Sequence, residues 1–160
     1  MAAARRGHDR RHGPTDSDRA RGARCAQGGV KPFTYDALAG RTVFGVGALG
    51  QVGDELTRLG AQRVFLIVDS QAKEFGDALA EALGPLVVVR WHEVVQHVPF
   101  ELAERARTAA AEANADTVVC LGGGSSTGLA KAIALTHGLP ILAVPTTYAG
   151  SEQTPIYGLT

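Results

Sequence analysis

The chain has 160 residues and no net charge at neutral pH, with 16 basic and 16 acidic residues. That length allows one domain with a short tail, and no run of about twenty apolar residues is present to cross a bilayer. No secretory signal is visible, and the two cysteines, Cys25 and Cys120, are too few for a disulfide framework. We therefore expect a soluble, cytoplasmic protein with no membrane partner.

The charge is unevenly distributed. Residues 1–31 carry eight Lys or Arg against three Asp, whereas residues 32–160 carry eight Lys or Arg against thirteen Asp or Glu. The first segment nearly lacks large apolar side chains, so burial cannot offset its ordering entropy. We predict a disordered basic tail over 1–31 and a folded domain over 32–160. An arm for nucleic acid or an organelle presequence is the alternative for the tail, but Asp9, Asp16 and Asp18 interrupt its charge, and we expect no nucleic-acid partner.

Apolar strands alternate with amphipathic helices from Phe33 onward. The predicted strands are 41–44, 64–68, 86–91, 117–121 and 141–144, and the predicted helices are 48–59, 71–83, 100–114 and 126–136. Continuous apolar runs of strand length indicate strands that are buried on both faces. The predicted fold class is α/β, with an open, mostly parallel sheet that carries helices on both faces.

Two glycine-rich turns compete for a phosphate-binding role. In the first, Gly45, Gly47 and Gly50 match G-x-G-x-x-G before a helix, and Asp69 ends the next strand nineteen residues after Gly50. This is the spacing of a dinucleotide fingerprint, with an acid for a ribose hydroxyl. The preceding strand has only about four residues, so we favour the alternative of a tight strand-to-helix turn.

The second turn consists of Gly122, Gly123, Gly124 and Ser125, which follow a buried strand and open a helix. Three glycines let the backbone approach a phosphate closely, and the free N–H groups at a helix start offer donors and positive potential. The hydroxyls of Ser125 and Thr127 add further donors. We predict that this turn binds phosphate.

A second polar loop follows one strand later. Thr146 and Thr147 can hydrogen-bond a ribose or phosphate, and Gly150 allows close approach. Ligands of open α/β sheets bind outside the carboxyl ends of the strands, where both loops are expected to lie. We therefore predict that residues 32–160 form a nucleotide-binding α/β domain.

Together, GGGS-x5-K and PTT-x3-SE resemble the iron-containing alcohol dehydrogenase superfamily, which shares its fold with dehydroquinate synthase. The resemblance covers about residues 33–160 and implies a dehydroquinate synthase-like N-terminal domain with an NAD(P)H cofactor. In that family the GGGS turn holds the pyrophosphate, and an acid near the end of the second strand governs the adenosine ribose; Ser70 is the alternative to Asp69 there. The implied cofactor contacts are Gly122, Gly123, Gly124, Ser125, Thr146, Thr147 and Asp69.

Within the superfamily, GGGSSTGLAKAIAL and PTTYAGSE resemble the maleylacetate reductases. Alcohol-oxidising members usually carry Asp where this chain has Gly128, and a longer threonine loop. The resemblance implies reduction of maleylacetate to 3-oxoadipate in aromatic-compound degradation, a small dicarboxylate substrate, and a homodimer at full length. Tyr148 and Ser151 are interpreted as substrate contacts, with simple packing as an equal alternative for Tyr148. Lys131 is interpreted as a solvated or helix-stabilising residue.

The resemblance implies that the metal ligands, an Asp and several His, belong to a C-terminal helical domain, and we expect residues 32–160 to be truncated before that domain. No histidine here is interpreted as a ligand, metal dependence stays open, and no catalytic residue is assigned. We expect the chain to bind the cofactor without turnover. The alternatives are another iron-type alcohol or glycerol dehydrogenase, and a non-catalytic nucleotide-binding fragment. The five histidines are His8, His12, His92, His97 and His137.

Overall fold

The computed structural model describes residues 40–160, so the tail predicted over 1–31 lies outside the described residues. The strands of this part of the chain are β1 (Val64–Val68), β2 (Val87–Trp91), β3 (Thr117–Gly122) and β4 (Ile141–Pro145). Its α-helices are α1 (Val52–Leu59), α2 (Lys73–Leu83), α3 (Phe100–Glu112) and α4 (Gly124–His137). Short 3-10 turns lie at Ala48–Gln51, Ser70–Ala72, Gly84–Leu86 and Ser151–Gln153.

The four strands form one parallel sheet in the order β2-β1-β3-β4. Every residue of β1 and β3 is buried, whereas β2 and β4 at the sides are only partly covered. From β1 the chain runs to one side of the sheet, and from β3 it runs to the other. The carboxyl ends of β1 and β3 therefore flank a topological switch point, which is where open α/β sheets bind ligands.

Helices cover both faces of the sheet, as the sequence predicts. On one face, α1 and α2 pack against alternate residues of β1, in a cluster that includes Leu56, Leu79, Val64, Leu66 and Val68. On the other face, α3 and α4 pack against the intervening residues, in a cluster that includes Leu102, Ile133, Phe65, Ile67 and Val118. Because successive strand residues point to opposite faces, a fully apolar β1 supplies both layers. No helix within residues 40–160 is long and apolar enough to span a bilayer.

The strand predicted over residues 41–44 is wrong. This segment pairs with no strand of the sheet; its backbone is irregular, and Phe44 and Val46 are exposed. Arg41 instead forms an ion pair with Glu55 of α1 at 2.9 Å. A short alternating run resembles a strand locally, but it becomes one only when a neighbouring strand satisfies its backbone groups. Within the described residues, which begin at residue 40, the Gly45–Gly50 turn therefore follows no strand of the kind that a dinucleotide fingerprint requires.

Two boundary differences bear on the site. The third strand extends to Gly122, and the following helix begins at Gly124 rather than at residue 126. As a result, Gly124 and Ser125 belong to the first turn of α4. The phosphate-binding turn predicted from the sequence is thus the junction of β3 and α4 itself.

Candidate cofactor site

The junction of β3 and α4 exposes the start of a helix at the switch point. Gly123 is the residue that links the two elements, and no side chain caps the helix. The first N–H groups of an α-helix have no partner within it, and they form its positive end. Gly123, Gly124 and Ser125 are partly exposed, so these groups are accessible. This arrangement is suited to binding an anion such as a diphosphate.

Asp69 contacts this junction from the end of β1. Its backbone N–H donates to the carbonyl of Leu121 at 2.9 Å. A Cβ built on Gly122 would lie 2.6 Å from the Cβ of Asp69 and 2.3 Å from Ser126 Oγ, so only glycine fits between these neighbours. The Asp69 carboxylate accepts from the N–H of Gln71 at 3.0 Å, which fixes its position.

The threonine loop after β4 lies against the same junction. The N–H of Thr146 donates to the carbonyl of Gly122 at 2.9 Å. A Cβ on Gly123 would lie 3.4 Å from Thr147 Oγ1, and one on Gly124 would lie 3.3 Å from Ala149 Cβ. The structure therefore brings together the residues predicted to bind the cofactor, which are Asp69, Gly122, Gly123, Gly124, Ser125, Thr146 and Thr147. Their role in binding a cofactor stays a prediction.

The side chains of Thr127 and Ser126 are both buried, which the sequence analysis did not predict. The hydroxyl of Thr127 is buried and donates to the carbonyl of Gly123 at 3.3 Å, so it does not face a phosphate. The Thr127 prediction is wrong, because one helical turn places this side chain inside the fold. Ser126, which sequence reasoning missed, is fully buried, and its Oγ has no hydrogen-bond partner in the described part of the chain. The only feature of the sequence that could have indicated Ser126 is its place as the second small polar residue after the glycines.

A cavity of about 380 Å³ opens beside the junction. Its walls are His97, Val98, Gly124, Ser125, Gly128, Ser151, Ile156, Tyr157 and Gly158. Of the two residues interpreted as substrate contacts, Ser151 lines this cavity. Tyr148 does not line it, and its side chain is fully exposed. Ser151 therefore lines the cavity and Tyr148 does not, and a ligand contact for Ser151 stays a prediction.

One wall of the cavity is a strained loop. His97 has φ 63° and Val98 has φ 50°, a backbone region that costs non-glycine residues about 1–3 kcal/mol each. Val98 is buried, and a Cβ on Gly128 would lie 3.1 Å from its Cγ2. Glycine at 128 therefore lets this loop pack against α4. The backbone of Thr160 holds the loop by accepting from Phe100 N at 2.8 Å and donating to Val98 O at 3.3 Å.

Lys131 is buried, so the interpretation of a solvated side chain is wrong. Only 9% of the residue is exposed. Its ammonium donates to the carbonyl of Ser151 at 2.5 Å, to Ser151 Oγ at 3.2 Å and to the carbonyl of Ile156 at 2.8 Å. Burial lowers the pKa of Lys131, against the opposing effects of Cys120 and Glu152. These partners lie 20 to 25 residues away, beyond the reach of a local pattern.

Cys120 lies in β3 beneath the site and is a free, buried thiol. Burial raises its pKa to about 12, although the nearby polar groups of Thr127 and Val144 and the charge of Lys131 favour the thiolate. A thiol in this state is a weak nucleophile and a poor metal ligand. Within residues 40–160, no group of three or more His, Cys, Asp or Glu residues is placed to hold a metal ion.

An open parallel sheet with an uncapped helix start at its switch point, flanked by polar loops, defines an α/β domain of the kind in which ligands bind at the carboxyl ends of the strands. The chain belongs to the iron-containing alcohol dehydrogenase family, which matches residues 39–160. This membership confirms the resemblance predicted from the two motifs, and the sheet confirms the predicted fold class.

The similar proteins include several maleylacetate reductases. Those of Burkholderia cepacia and Rhizobium sp. strain MTP-10005 are each 46% identical over 131 residues, which is 82% of this chain and 37% of theirs. The crystal structure of the Rhizobium enzyme superimposes with a TM-score of 0.75 over 82% of this chain and 37% of its own. A putative alcohol dehydrogenase from Ralstonia eutropha JMP134 is 50% identical, also with a TM-score of 0.75 over 82% of this chain and 37% of its own. The chain thus spans about 37% of the length of the curated relatives it matches.

Proposed function

We propose that this chain forms the dinucleotide-binding part of an NAD(P)H-dependent maleylacetate reductase, which reduces maleylacetate to 3-oxoadipate in the degradation of aromatic compounds. The observation that carries the proposal is the contact of Asp69 and Thr147 with the glycine turn Gly122–Ser125 at the switch point. The support for the substrate is the 46% identity to curated maleylacetate reductases. The proposal extends to a homodimeric, cytoplasmic enzyme with a small dicarboxylate substrate.

The residues of this site fit a dinucleotide. The start of α4 can bind the diphosphate through its N–H groups, because Gly123 and Gly124 leave the backbone uncovered. The Asp69 carboxylate can accept a hydrogen bond from an adenosine ribose hydroxyl. Thr147 Oγ1, beside Gly123, can donate to a phosphate or ribose oxygen. When bound, the nicotinamide supplies the hydride, and the protein supplies position and electrostatics.

A second candidate is an alcohol dehydrogenase of the same family. The support for it is the 50% identity to the putative alcohol dehydrogenase from Ralstonia eutropha JMP134. Gly128 favours the reductase, because alcohol-oxidising members usually carry Asp at this position. A Cβ on Gly128 would lie 3.1 Å from Val98 Cγ2, which leaves little room for a larger residue. Both candidates share the dinucleotide site and differ in substrate.

Cofactor binding is tested by titrating the chain with NADH and comparing Gly123→Asp with Gly50→Asp. Both glycines have a backbone that accepts a side chain, and Gly50 has no atom within 4 Å of an added Cβ. We expect Gly123→Asp to weaken NADH binding at least tenfold, because a carboxylate beside the diphosphate costs several kcal/mol. Gly50→Asp should bind as the wild type does. The reverse pattern would assign the phosphate to the Gly45–Gly50 turn and refute the proposed site.

The reaction is tested in a chimera, in which residues 39–160 replace the matching segment of the Rhizobium maleylacetate reductase. We expect maleylacetate-dependent oxidation of NADH, and its loss when Gly123→Asp is added. Parallel assays with NAD⁺ and short-chain alcohols or glycerol test the second candidate. A folded chimera that binds NADH but oxidises alcohols, and leaves maleylacetate unreduced, would exclude the reductase.

A further inference from the structure

Lys131 connects α4 to the segment that follows β4. Its ammonium has three N–H donors, and all three have partners: the carbonyl and the hydroxyl of Ser151, and the carbonyl of Ile156. No carboxylate is among these partners. The positive charge therefore lies directly behind Ser151 and Ile156, which both line the cavity beside the glycine turn.

The bond to the hydroxyl has a definite direction. An ammonium only donates, so Ser151 Oγ accepts from Lys131 at 3.2 Å. The hydroxyl proton must then point away from Lys131. Because Ser151 lines the cavity, that proton is available to a ligand within it.

The cavity lining also presents backbone donors. Gly124 and Ser125, at the uncapped start of α4, line the same cavity. A cavity lined by N–H groups and a polarised hydroxyl suits a ligand that is rich in acceptor oxygens. A hydroxyl that accepts from a cation is also a stronger donor, since hydrogen bonds in such a chain polarise one another.

We propose that Lys131 is a positioning residue that directs the Ser151 hydroxyl into the cavity as a hydrogen-bond donor to an acceptor oxygen of the bound ligand. The oxygen belongs either to the dinucleotide, at its diphosphate or carboxamide, or to a dicarboxylate substrate. This inference rests on the proposed function, because it takes the cavity to be part of the cofactor and substrate site.

The test compares Lys131→Met, Ser151→Ala and the double variant with the wild-type chain. The control is Lys73→Met, since Lys73 is an exposed helix lysine paired with Asp77. Three probes are titrated: NADH, ADP-ribose, which has the diphosphate but no nicotinamide, and succinate in the presence of NAD⁺. Weakening of NADH and ADP-ribose alike assigns the diphosphate, weakening of NADH alone assigns the carboxamide, and weakening of succinate alone assigns the substrate.

We expect Lys131→Met and Ser151→Ala each to weaken at least one probe by about three- to tenfold, the range for one lost hydrogen bond. Lys131→Met should have little further effect in the Ser151→Ala background. A residue that merely stabilises the fold would weaken binding equally in both backgrounds, and that result would overturn the inference. Lys131→Arg keeps the charge and the donors, and should retain most of the affinity if Lys131→Met fails to fold.

Failure of this inference is distinguishable from failure of the proposed function. If the wild-type chain bound none of the probes, the proposed function would be wrong. If the wild type bound them and Lys131→Met bound them equally well, only the role of Lys131 would be wrong. Hydrogen exchange at the amides of residues 151–157 gives an independent reading, and should be faster in Lys131→Met but unchanged in Lys73→Met.

Discussion

Asp69 and Gly122 meet where the first and third strands end, and a Cβ on Gly122 would lie only 2.6 Å from the Cβ of Asp69. The two residues are 53 positions apart in sequence, yet the backbones of β1 and β3 are joined at the carboxyl end of the sheet by the bond from Asp69 N to Leu121 O. This contact places a carboxylate beside a glycine-rich helix start. It is the local geometry on which the proposed cofactor site depends.

Gly122→Ala should therefore destabilise the domain. Its Cβ would collide with Ser126 Oγ and Asp69, and overpacking of this kind costs about 1–3 kcal/mol. The measurement is urea denaturation followed by circular dichroism. Gly53→Ala in α1 is the matched control, because its Cβ meets nothing within 4 Å and alanine stabilises a helix interior by about 1 kcal/mol. Equal stability of Gly122→Ala and the wild type would show that Ser126 and Asp69 move aside without a cost in free energy.

Asp69→Asn should change the preference between the two nicotinamide cofactors. The amide oxygen of Asn can still accept from Gln71 N, as the carboxylate does at 3.0 Å, so the loop is retained while the charge is lost. Removing a negative charge near the ribose relieves repulsion of a 2′-phosphate. We expect NADPH affinity to rise about tenfold relative to NADH, which is about 1.4 kcal/mol.

The control for this change is Ser70→Ala, because Ser70 is the sequence alternative to Asp69. It should leave the ratio of the two affinities unchanged. If Ser70→Ala shifted the ratio and Asp69→Asn did not, the ribose contact would belong to Ser70.

Cys120 should resist alkylation in the folded chain. Burial raises its pKa to about 12, so almost no thiolate is present near neutral pH. The rate of iodoacetamide labelling is measured by mass spectrometry in a Cys25→Ser background. It should reach the rate of a free cysteine only after the chain is unfolded in urea. Fast labelling of the native chain at about pH 8 would contradict the burial.

The same pKa shift gives a pH dependence of stability. An acid whose folded-state pKa is raised contributes stability below its unfolded pKa of 9.0, and this contribution is lost as the pH rises towards about 12. The unfolding free energy of the wild type should therefore fall more steeply over this range than that of Cys120→Ala. Parallel curves for the two proteins would show that Cys120 ionises as freely in the folded state as in the unfolded state.

Gly76→Ala in α2 should destabilise the domain although alanine is the better helix former. A Cβ at Gly76 would lie 2.3 Å from Val68 Cγ1 and 2.7 Å from Val68 Cγ2. We expect a loss of about 1–3 kcal/mol in urea denaturation, with a smaller loss when Val68→Ala is already present. Additive effects of the two changes would mean that the loss in Gly76→Ala does not come from its contact with Val68.

Most of the fold could be predicted from local sequence. The apolar runs of β1 and β3 and the glycines after β3 determine where strands end and helices begin, because burial periodicity and backbone freedom are properties of neighbouring residues. The prediction of a strand over 41–44 was wrong because strand pairing does not depend on neighbouring residues alone. A strand requires hydrogen bonds to another strand, and Arg41 lies against Glu55 of α1 instead.

The candidate site was also predicted only in part from the sequence. The glycine turn Gly122–Ser125 and the threonine loop were visible in the sequence by themselves, because each is a short motif at the end of an apolar run. Only the tertiary structure placed Tyr148 in solvent, turned Thr127 inward and buried Lys131 against Ser151 and Ile156. The direction and the partners of a side chain depend on what the rest of the chain packs around it. Sequence therefore determined which backbone can bind a phosphate, and packing decided which side chains face the ligand.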